Sequence, residues 1–406
     1  MKRASRVLYL FHQSLTAPIS RLHGLAQVVA LSGERPFAVI SYEPRNLSAL
    51  QKGVYERTRS WLLEHEVPHT PVPVVGTRWL EIPMGAASAF LSCVFRGTRI
   101  IQARSYIPGL MALLATRVSP ARFLFDMRGL FVDEYVLEGA FRPGTPRFRF
   151  ARWLERRLLF NADTIIVVSE RFRDHLLTRE DLAGRVEPGR IVVIPNRVDL
   201  ERFAPALESR ERTRAELGWD DDLVFVYVGS TAPWHRLDRV AELMARVMER
   251  NEHIRLVASV YPDPSSFEDL ALAAGVPKER MALATSTVDE IPRLLAAADV
   301  GLMLIDDDIS KQVCAPIKFS EYMAAGLPVI AAGGIGDTRD WIEEEGLGIL
   351  VDGEDVDAAA EAVVARLTSD AIVSARARCL DFAARALDMR QTLRQYEGVY
   401  RKLEGR

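Results

Sequence analysis

The stretch Ala315-Pro-Ile-Lys318-Phe-Ser-Glu321-Tyr-Met-Ala-Ala-Gly326-Leu-Pro328-Val-Ile-Ala331 sets the pattern of the chain. Lys318 and Glu321 are three apart, so they share one face of a short helix near its N-terminus, where the dipole and free N–H groups favour anions. Gly326, just past the last turn, and Pro328 shortly beyond it stop the helix. Pro328 then opens an apolar strand that runs into Ala332-Gly-Gly. Taken alone, the unit fits two readings. One is a helix mouth that holds a phosphorylated or hydroxyl-rich ligand beside a parallel strand. The other is an ordinary helix–strand unit with a solvated Lys–Glu pair.

The same rhythm runs outward in both directions. Short β-branched and aromatic runs fall at 7–11, 37–42, 99–103, 123–126, 164–168 and 191–194, and again at 223–228, 254–260, 281–285, 300–305, 328–332 and 348–351. Amphipathic segments of helix length separate them. Such runs predict parallel sheets buried on both faces, with ligands at the carboxyl ends of the strands. Each half has enough units for one doubly wound domain. The turn-rich Pro195-Asn-Arg-Val-Asp-Leu-Glu-Arg-Phe203 closes the first half, and a polar helix over 208–217 precedes the second sheet. The expected division is therefore 1–203, 204–386, and a charged amphipathic helix over 387–406 that is long enough to cross back to the first domain.

At 406 residues the chain exceeds what one core usually supports, and its composition is that of a globular protein. A net charge of −3 gives no case for nucleic acid as a partner. Cys93, Cys314 and Cys379 have no metal-ligand spacing and read as reduced structural thiols. The apolar run after Met1-Lys-Arg-Ala-Ser-Arg is too short for a signal peptide, and nothing approaches a transmembrane length. The expected location is the cytoplasm or its membrane face.

Several segments carry candidate chemistry. Gly229-Ser230-Thr-Ala-Pro-Trp-His235-Arg236 joins a strand to a helix, so its backbone N–H groups suit a phosphate, and His235 and Arg236 would add positive charge. As a single glycine it is also an ordinary turn with exposed basic side chains. Asp126 and Arg128 sit in Phe125-Asp-Met-Arg-Gly129 at the carboxyl end of a strand, where a buried charge needs either a partner or a substrate. A structural Asp126–Arg128 ion pair is the alternative, and Arg104-Ser-Tyr106 lies at the same edge. Asp306-Asp-Asp308 lacks a converging His or further carboxylate, so it reads as a solvated loop and not a metal site. Residues 142–157 mix six arginines with Phe148, Phe150, Trp153 and Leu154. That mix suits an anionic membrane or a phosphorylated acceptor, or else a helix packing its aromatic face on the sheet.

Jointly these pieces resemble a bacterial group 1 glycosyltransferase of the retaining GT-B class. The matching segments are Ala162-Asp-Thr-Ile-Ile-Val-Val-Ser169-Glu, Ile194-Pro-Asn-Arg-Val-Asp199-Leu-Glu-Arg-Phe203, Val228-Gly-Ser230 and Pro316-Ile-Lys318-Phe-Ser-Glu321 through Pro328-Val-Ile, in the family's order. The resemblance implies an α/β GT-B fold: two doubly wound Rossmann-like domains facing across a cleft, acceptor domain first and donor domain second. It implies transfer of a hexosyl or related sugar from a nucleotide-diphosphate donor to a hydroxyl, with retention, no metal and no cofactor beyond the donor. Cell-surface polysaccharide or glycolipid synthesis, a glycan or lipid-linked acceptor, and peripheral contact with the inner membrane face follow at the same level.

By position, Glu321 matches the carboxylate that bonds the donor ribose, Gly229 and Ser230 the loop over the diphosphate, and His235 or Arg236 its cationic clamp. The sequence departs from the family at three places. Val313 stands where relatives carry a first glutamate that contacts the donor sugar, Ser230 replaces an arginine, and Arg197 replaces a glycine. The diphosphate charge is then expected to rest on Arg236, Lys318 or Arg197, with Asp126 or Arg128 orienting the acceptor or the sugar. Two alternatives remain: a catalytically degenerate GT-B subunit that binds a nucleotide or a partner, and a nucleotide-sugar 2-epimerase using Asp126, His12 and His235.

Overall fold

The computed structural model describes residues 6–16, 24–76 and 78–405. Contacts divide it into two compact units, the chain leaving the first after Ile194 and rejoining it after Thr392.

In the first unit, β1 (Arg6–Phe11), β2 (Phe37–Pro44), β3 (His69–Val74), β4 (Thr98–Arg104), β5 (Arg122–Asp126), β6 (Thr164–Val167) and β7 (Ile191–Val193) form a sheet ordered β3-β2-β1-β4-β5-β6-β7. Every pairing in it is parallel. Crossover helices cover both faces, so Val7 through Phe11 are buried without a break. The strand order reverses at β1 and β4, and there the carboxyl ends open a crevice. The apolar runs predicted six strands; the seventh, β3, was hidden by its composition. Its sequence His69-Thr-Pro-Val-Pro-Val carries two prolines, which remove ladder donors and argue against a strand. β3 tolerates them because it is the sheet's edge and pairs on one side with β2 alone.

The last helix, Met389–Leu403, completes this unit's core. Tyr396, Val399 and Tyr400 are buried with Val7, Tyr9, Phe37 and Val39. Arg35, itself 2% exposed, bonds both carboxylate oxygens of Glu397 (2.9 and 3.0 Å) and one of Glu404 (2.8 Å), with its guanidinium over the Tyr400 ring. A charge so deep is tolerable only with its bonds filled.

The second unit repeats the plan. β8 (Leu223–Ser230), β9 (Ile254–Tyr261), β10 (Met281–Ala284), β11 (Val300–Leu304), β12 (Val329–Ala332) and β13 (Gly348–Leu350) form a sheet ordered β10-β9-β8-β11-β12-β13. Its pairings are all parallel, and apolar clusters fill both faces. The reversal lies between β8 and β11. Asn196 and Val198, upstream of the sheet, pack in this unit: the Asn196 amide donates to Ala315 O (2.6 Å) and Val198 N to Leu387 O (3.0 Å). The polar helix expected over 208–217 forms as Ala204–Glu208 and Arg210–Leu217, ending at left-handed Gly218.

Replacing Arg35 by alanine removes a buried guanidinium that bonds Glu397 and Glu404, with Glu397 keeping Arg401 at 2.9 Å. We expect a loss of about 3–5 kcal/mol, measured by chemical denaturation; a change below ~1 kcal/mol would mean that Arg35 does not hold the last helix.

Candidate functional site

The helix Ile317–Ala324 stands after the β8/β11 reversal and ends in left-handed Gly326. Lys318 is 6% exposed, and its ammonium lies 4.3 Å from the centre of the Tyr227 ring with no hydrogen-bond partner among the described residues. A Cβ placed on Gly229 would come within 2.8 Å of that ammonium and 2.6 Å of the Tyr227 hydroxyl. A side chain at position 229 would push the lysine ammonium from its present place over the strand. The Gly229 loop and the Lys318 helix, far apart in sequence, are thus one site.

Burial draws the Lys318 ammonium down to about 7, against the opposing pull of the Glu321 carboxylate. Burial likewise pushes half-buried Glu321 up to about 7, against the attraction of Arg202 and then of Lys318. Burial shifts both groups toward neutral pH, and an anionic, hydroxyl-bearing ligand would supply contacts that favour their charged forms.

His235 and Arg236 do not complete a cationic clamp. His235 is drawn down to about 2, by burial first and by Lys318 and Lys311 second, so it is a neutral imidazole. Arg236, in left-handed conformation, contacts Asp238, Asp306 and Glu354 at 3.3, 3.4 and 2.7 Å. It lines a cavity of about 490 Å³ with Arg239, Asp307 and Glu354, a cavity that neither Lys318 nor Glu321 lines. Arg197 is also committed elsewhere: its guanidinium donates to Ala386 O at 2.8 Å and to Thr392 Oγ1 at 3.1 Å. Ser230 ends β8, where its carbonyl accepts from the Tyr227 hydroxyl at 3.1 Å. Val313 is 1% exposed, a core residue with nothing to offer a sugar hydroxyl. The acidic run is a partly exposed loop: Asp307, exposed, accepts from Gln312, while Asp306 contacts Arg236 and Asp308 caps the helix Ile309–Gln312.

Sequence reasoning missed five residues. Tyr227 reads as an ordinary core aromatic. Lys311, buried with its ammonium 4.1 Å from the Trp234 ring centre, and Arg202, which acts on Glu321, look like surface charges in sequence. Gly333 and Gly336 press against backbone, their Cβ positions falling 1.6 Å from Ile305 O and 2.0 Å from Cys314 O. Three glycines within four positions were the available signal.

In the first unit Asp126 ends β5 and is fully buried. Arg128 Nη1 stands 3.6 Å from one carboxylate oxygen and Arg104 Nη1 4.0 Å from the other. His12, after β1, contacts Glu81 at 3.3 Å.

Residues 222–369 match the family described as glycosyl transferases group 1, and residues 56–197 match the glycosyl transferase 4-like domain. The chain belongs to the group 1 glycosyltransferases. Among curated relatives, the D-inositol 3-phosphate glycosyltransferase of Geodermatophilus obscurus is 28% identical over 202 residues, covering 47% of this chain and 43% of that protein. The UDP-Gal:alpha-D-GlcNAc-diphosphoundecaprenol alpha-1,3-galactosyltransferase of Escherichia coli is 29% identical over 192 residues, 47% of this chain and 48% of that one. The chain spans about half the length of these relatives. A glycosyltransferase from Rickettsia africae superposes with a TM-score of 0.75 over 99% of both chains at 16% identity, a likeness of fold. That fold is GT-B, with one Rossmann-like sheet in each unit.

The electrostatics of Lys318 are testable without a ligand. Between about pH 7 and 10.5 the unfolded chain holds the Lys318 proton and the folded protein does not. The unfolded state therefore binds more protons in that window, and stability rises with pH across it. Lys318→Met should flatten this rise and stabilise the protein by about 1–3 kcal/mol near neutrality, since an unpartnered buried amine gives way to an apolar chain. Denaturation midpoints at neutral and alkaline pH decide the matter, and parallel pH profiles for the two proteins would refute it.

Proposed function

We propose that this chain transfers a sugar, with retention of anomeric configuration, from a nucleoside-diphosphate donor to a hydroxyl of a glycan or lipid-linked acceptor. The observation that carries the reading is the unpartnered Lys318 ammonium held over Gly229 at the carboxyl end of β8. A departing diphosphate needs positive charge that is already in place, and a buried lysine with no internal partner supplies it without reorganisation. An anionic ligand there would also raise the lysine's proton affinity and keep it charged at neutral pH. Glu321 on the same helix would accept hydrogen bonds from the ribose hydroxyls.

Lys318 thus takes the part that Arg236 and Arg197 would otherwise have played. No step requires a metal or a cofactor other than the donor. The two curated relatives act, by their names, on a phosphorylated polyol and on a lipid diphosphate, which supports an acceptor of glycolipid or polysaccharide synthesis. The nucleotide-sugar 2-epimerase reading weakens because His235, uncharged and walled in, is poorly placed for proton transfer. The degenerate-subunit reading draws on one specific feature, the apolar Val313 in place of a sugar-binding carboxylate. It predicts nucleotide binding without turnover on any donor and acceptor.

A surface of the first unit supports the part of this reading that sets the reaction at the inner membrane face. Helix Arg78–Phe95 exposes an apolar stripe of Leu80, Met84, Leu91, Val94 and Phe95 at helical spacing, with Arg96, Arg99 and Arg117 near one end. Exposed apolar side chains with arginines near one end suit an anionic lipid surface. Among the described residues no helix is long and apolar enough to cross a membrane.

Thermal shift and calorimetry with UDP, GDP and ADP test the donor grip. Lys318→Met should weaken the nucleoside diphosphates by roughly tenfold or more while barely changing the nucleosides, as expected for loss of one charge-assisted contact. Glu321→Ala should weaken both. Unchanged affinities in both variants would sink the assignment. For the membrane face, Leu91→Glu with Phe95→Glu should abolish co-sedimentation with phosphatidylglycerol vesicles, and retention of binding would remove that surface from consideration.

A further inference from the structure

The helix that carries Lys318 and Glu321 is tied to the sheet by a residue that the donor grip leaves unused. β8 and β11 pair only at Phe225 with Val300 and Val226 with Gly301, although the strands run on to Ser230 and Leu304. On their other sides the pairing continues, β8 with β9 as far as Ser230 and β11 with β12 as far as Leu304. The two strands at the reversal of order therefore part before they end. In their parallel register the next rung would run from the Val228 N–H to Leu302 O. The Tyr322 hydroxyl stands in that rung instead: it accepts from Val228 N at 3.1 Å and donates to Leu302 O at 3.2 Å. Its ring lies against Gly301, where a Cβ would fall 2.6 to 2.9 Å from three ring atoms. A glycine inside a strand marks such a close approach.

Hydrogen bonding alone does not call for this arrangement. A direct rung of about 2.9 Å would satisfy the same N–H and carbonyl with no side chain. The inserted hydroxyl satisfies both groups and also holds the strands apart. Tyr322 is fully buried and lies one helical turn beyond Lys318, so the two side chains leave the helix on the same face. Lys318 meets Tyr227 and Gly229, and Tyr322 meets Val228 between them. The hydroxyl thereby fixes how far the helix stands from β8 and where along the strand Lys318 arrives.

We propose that Tyr322 is the positioning residue of the donor grip: its hydroxyl wedges β8 from β11 and seats the Lys318 ammonium over the strand end. The word donor rests on the transferase reading; the seating of Lys318 does not.

The test titrates the full chain with UDP and GDP, and with uridine and guanosine, in wild type, Tyr322→Phe, Lys318→Met and the double variant. Tyr322→Phe should weaken the diphosphates by roughly fivefold, a part of one charge-assisted contact, and the nucleosides less. In the Lys318→Met background the same substitution should change diphosphate affinity by less than about twofold, because residues that act through one contact are not additive. A residue that merely supports the fold would give the same loss in both backgrounds. The ligand-free readout is stability between about pH 7 and 9, below the range in which tyrosine titrates. There the buried lysine makes stability rise with pH, and Tyr322→Phe should flatten that rise only when Lys318 is present. Where Lys318→Met weakens the diphosphates, equal losses in both backgrounds, or wild-type affinity in a folded Tyr322→Phe variant, would overturn the proposal. If Lys318→Met leaves UDP and GDP binding untouched, or neither binds the wild type, the donor reading fails and the pH profile decides the seating. Parallel profiles for wild type and Tyr322→Phe would then overturn it. Should Tyr322→Phe not fold, Gly301→Ala displaces the same ring and decides by the same cycle.

Discussion

The Lys318 ammonium occupies the space that any side chain at position 229 would need. Much of the second unit's chemistry follows from that one exclusion. The bare Gly229 leaves room for the Lys318 ammonium and the Tyr227 hydroxyl at the end of β8. The packing in turn buries the lysine against Tyr227 and draws its proton affinity toward neutrality. The same proximity keeps His235 uncharged, since an imidazolium beside Lys318 and Lys311 would be both desolvated and repelled. A site is left with one cation of marginal charge and no internal partner. Such an arrangement is costly as structure and useful as a receptor for a diphosphate.

Charged residues in this protein fall into two kinds, and hydrogen-bond geometry separates them. Asp299 is bonded by Arg214 at 3.0 Å and by the Val224 N–H at 2.9 Å, with Arg210 alongside, and so joins the helix Arg210–Leu217 to the second sheet. Glu155 takes the Tyr106 hydroxyl at 2.7 Å and Arg152 at 3.1 Å. These networks are closed, and their role is to hold elements together. Lys318 and the Asp126 carboxylate are open among the described residues. Both lie at carboxyl ends of strands beside the reversal of strand order, where parallel sheets leave room for a ligand.

The fold was largely legible because burial on both faces of a parallel sheet demands continuous apolar runs, and the chain contains them at regular intervals. Twelve of those runs became strands, and only β3 escaped. Its prolines obey an edge-strand rule that cannot be applied until the order of strands is known. The site was legible in part. Lys318, Glu321 and Gly229 stood out by position, and the structure joins the lysine to the glycine. Arg197, His235 and Arg236 stood out equally by residue type, and the structure gives them other work. Arg236 meets Glu354, more than a hundred residues downstream, and Arg197 meets Thr392 almost two hundred away.

The sequence by itself determined the alternation of strand and helix, the duplicated Rossmann-like plan and the family, because these are written in local periodicity and short motifs. Tertiary structure alone decided which charges are matched and which stand open. Charge state in a folded protein depends on burial and on partners distant in the chain, and neither can be read from neighbouring residues. Lys318, marked in the sequence only by its place near a helix mouth, becomes a buried cation with no hydrogen-bond partner among the described residues only once the sheet has brought Gly229 and Tyr227 beside it.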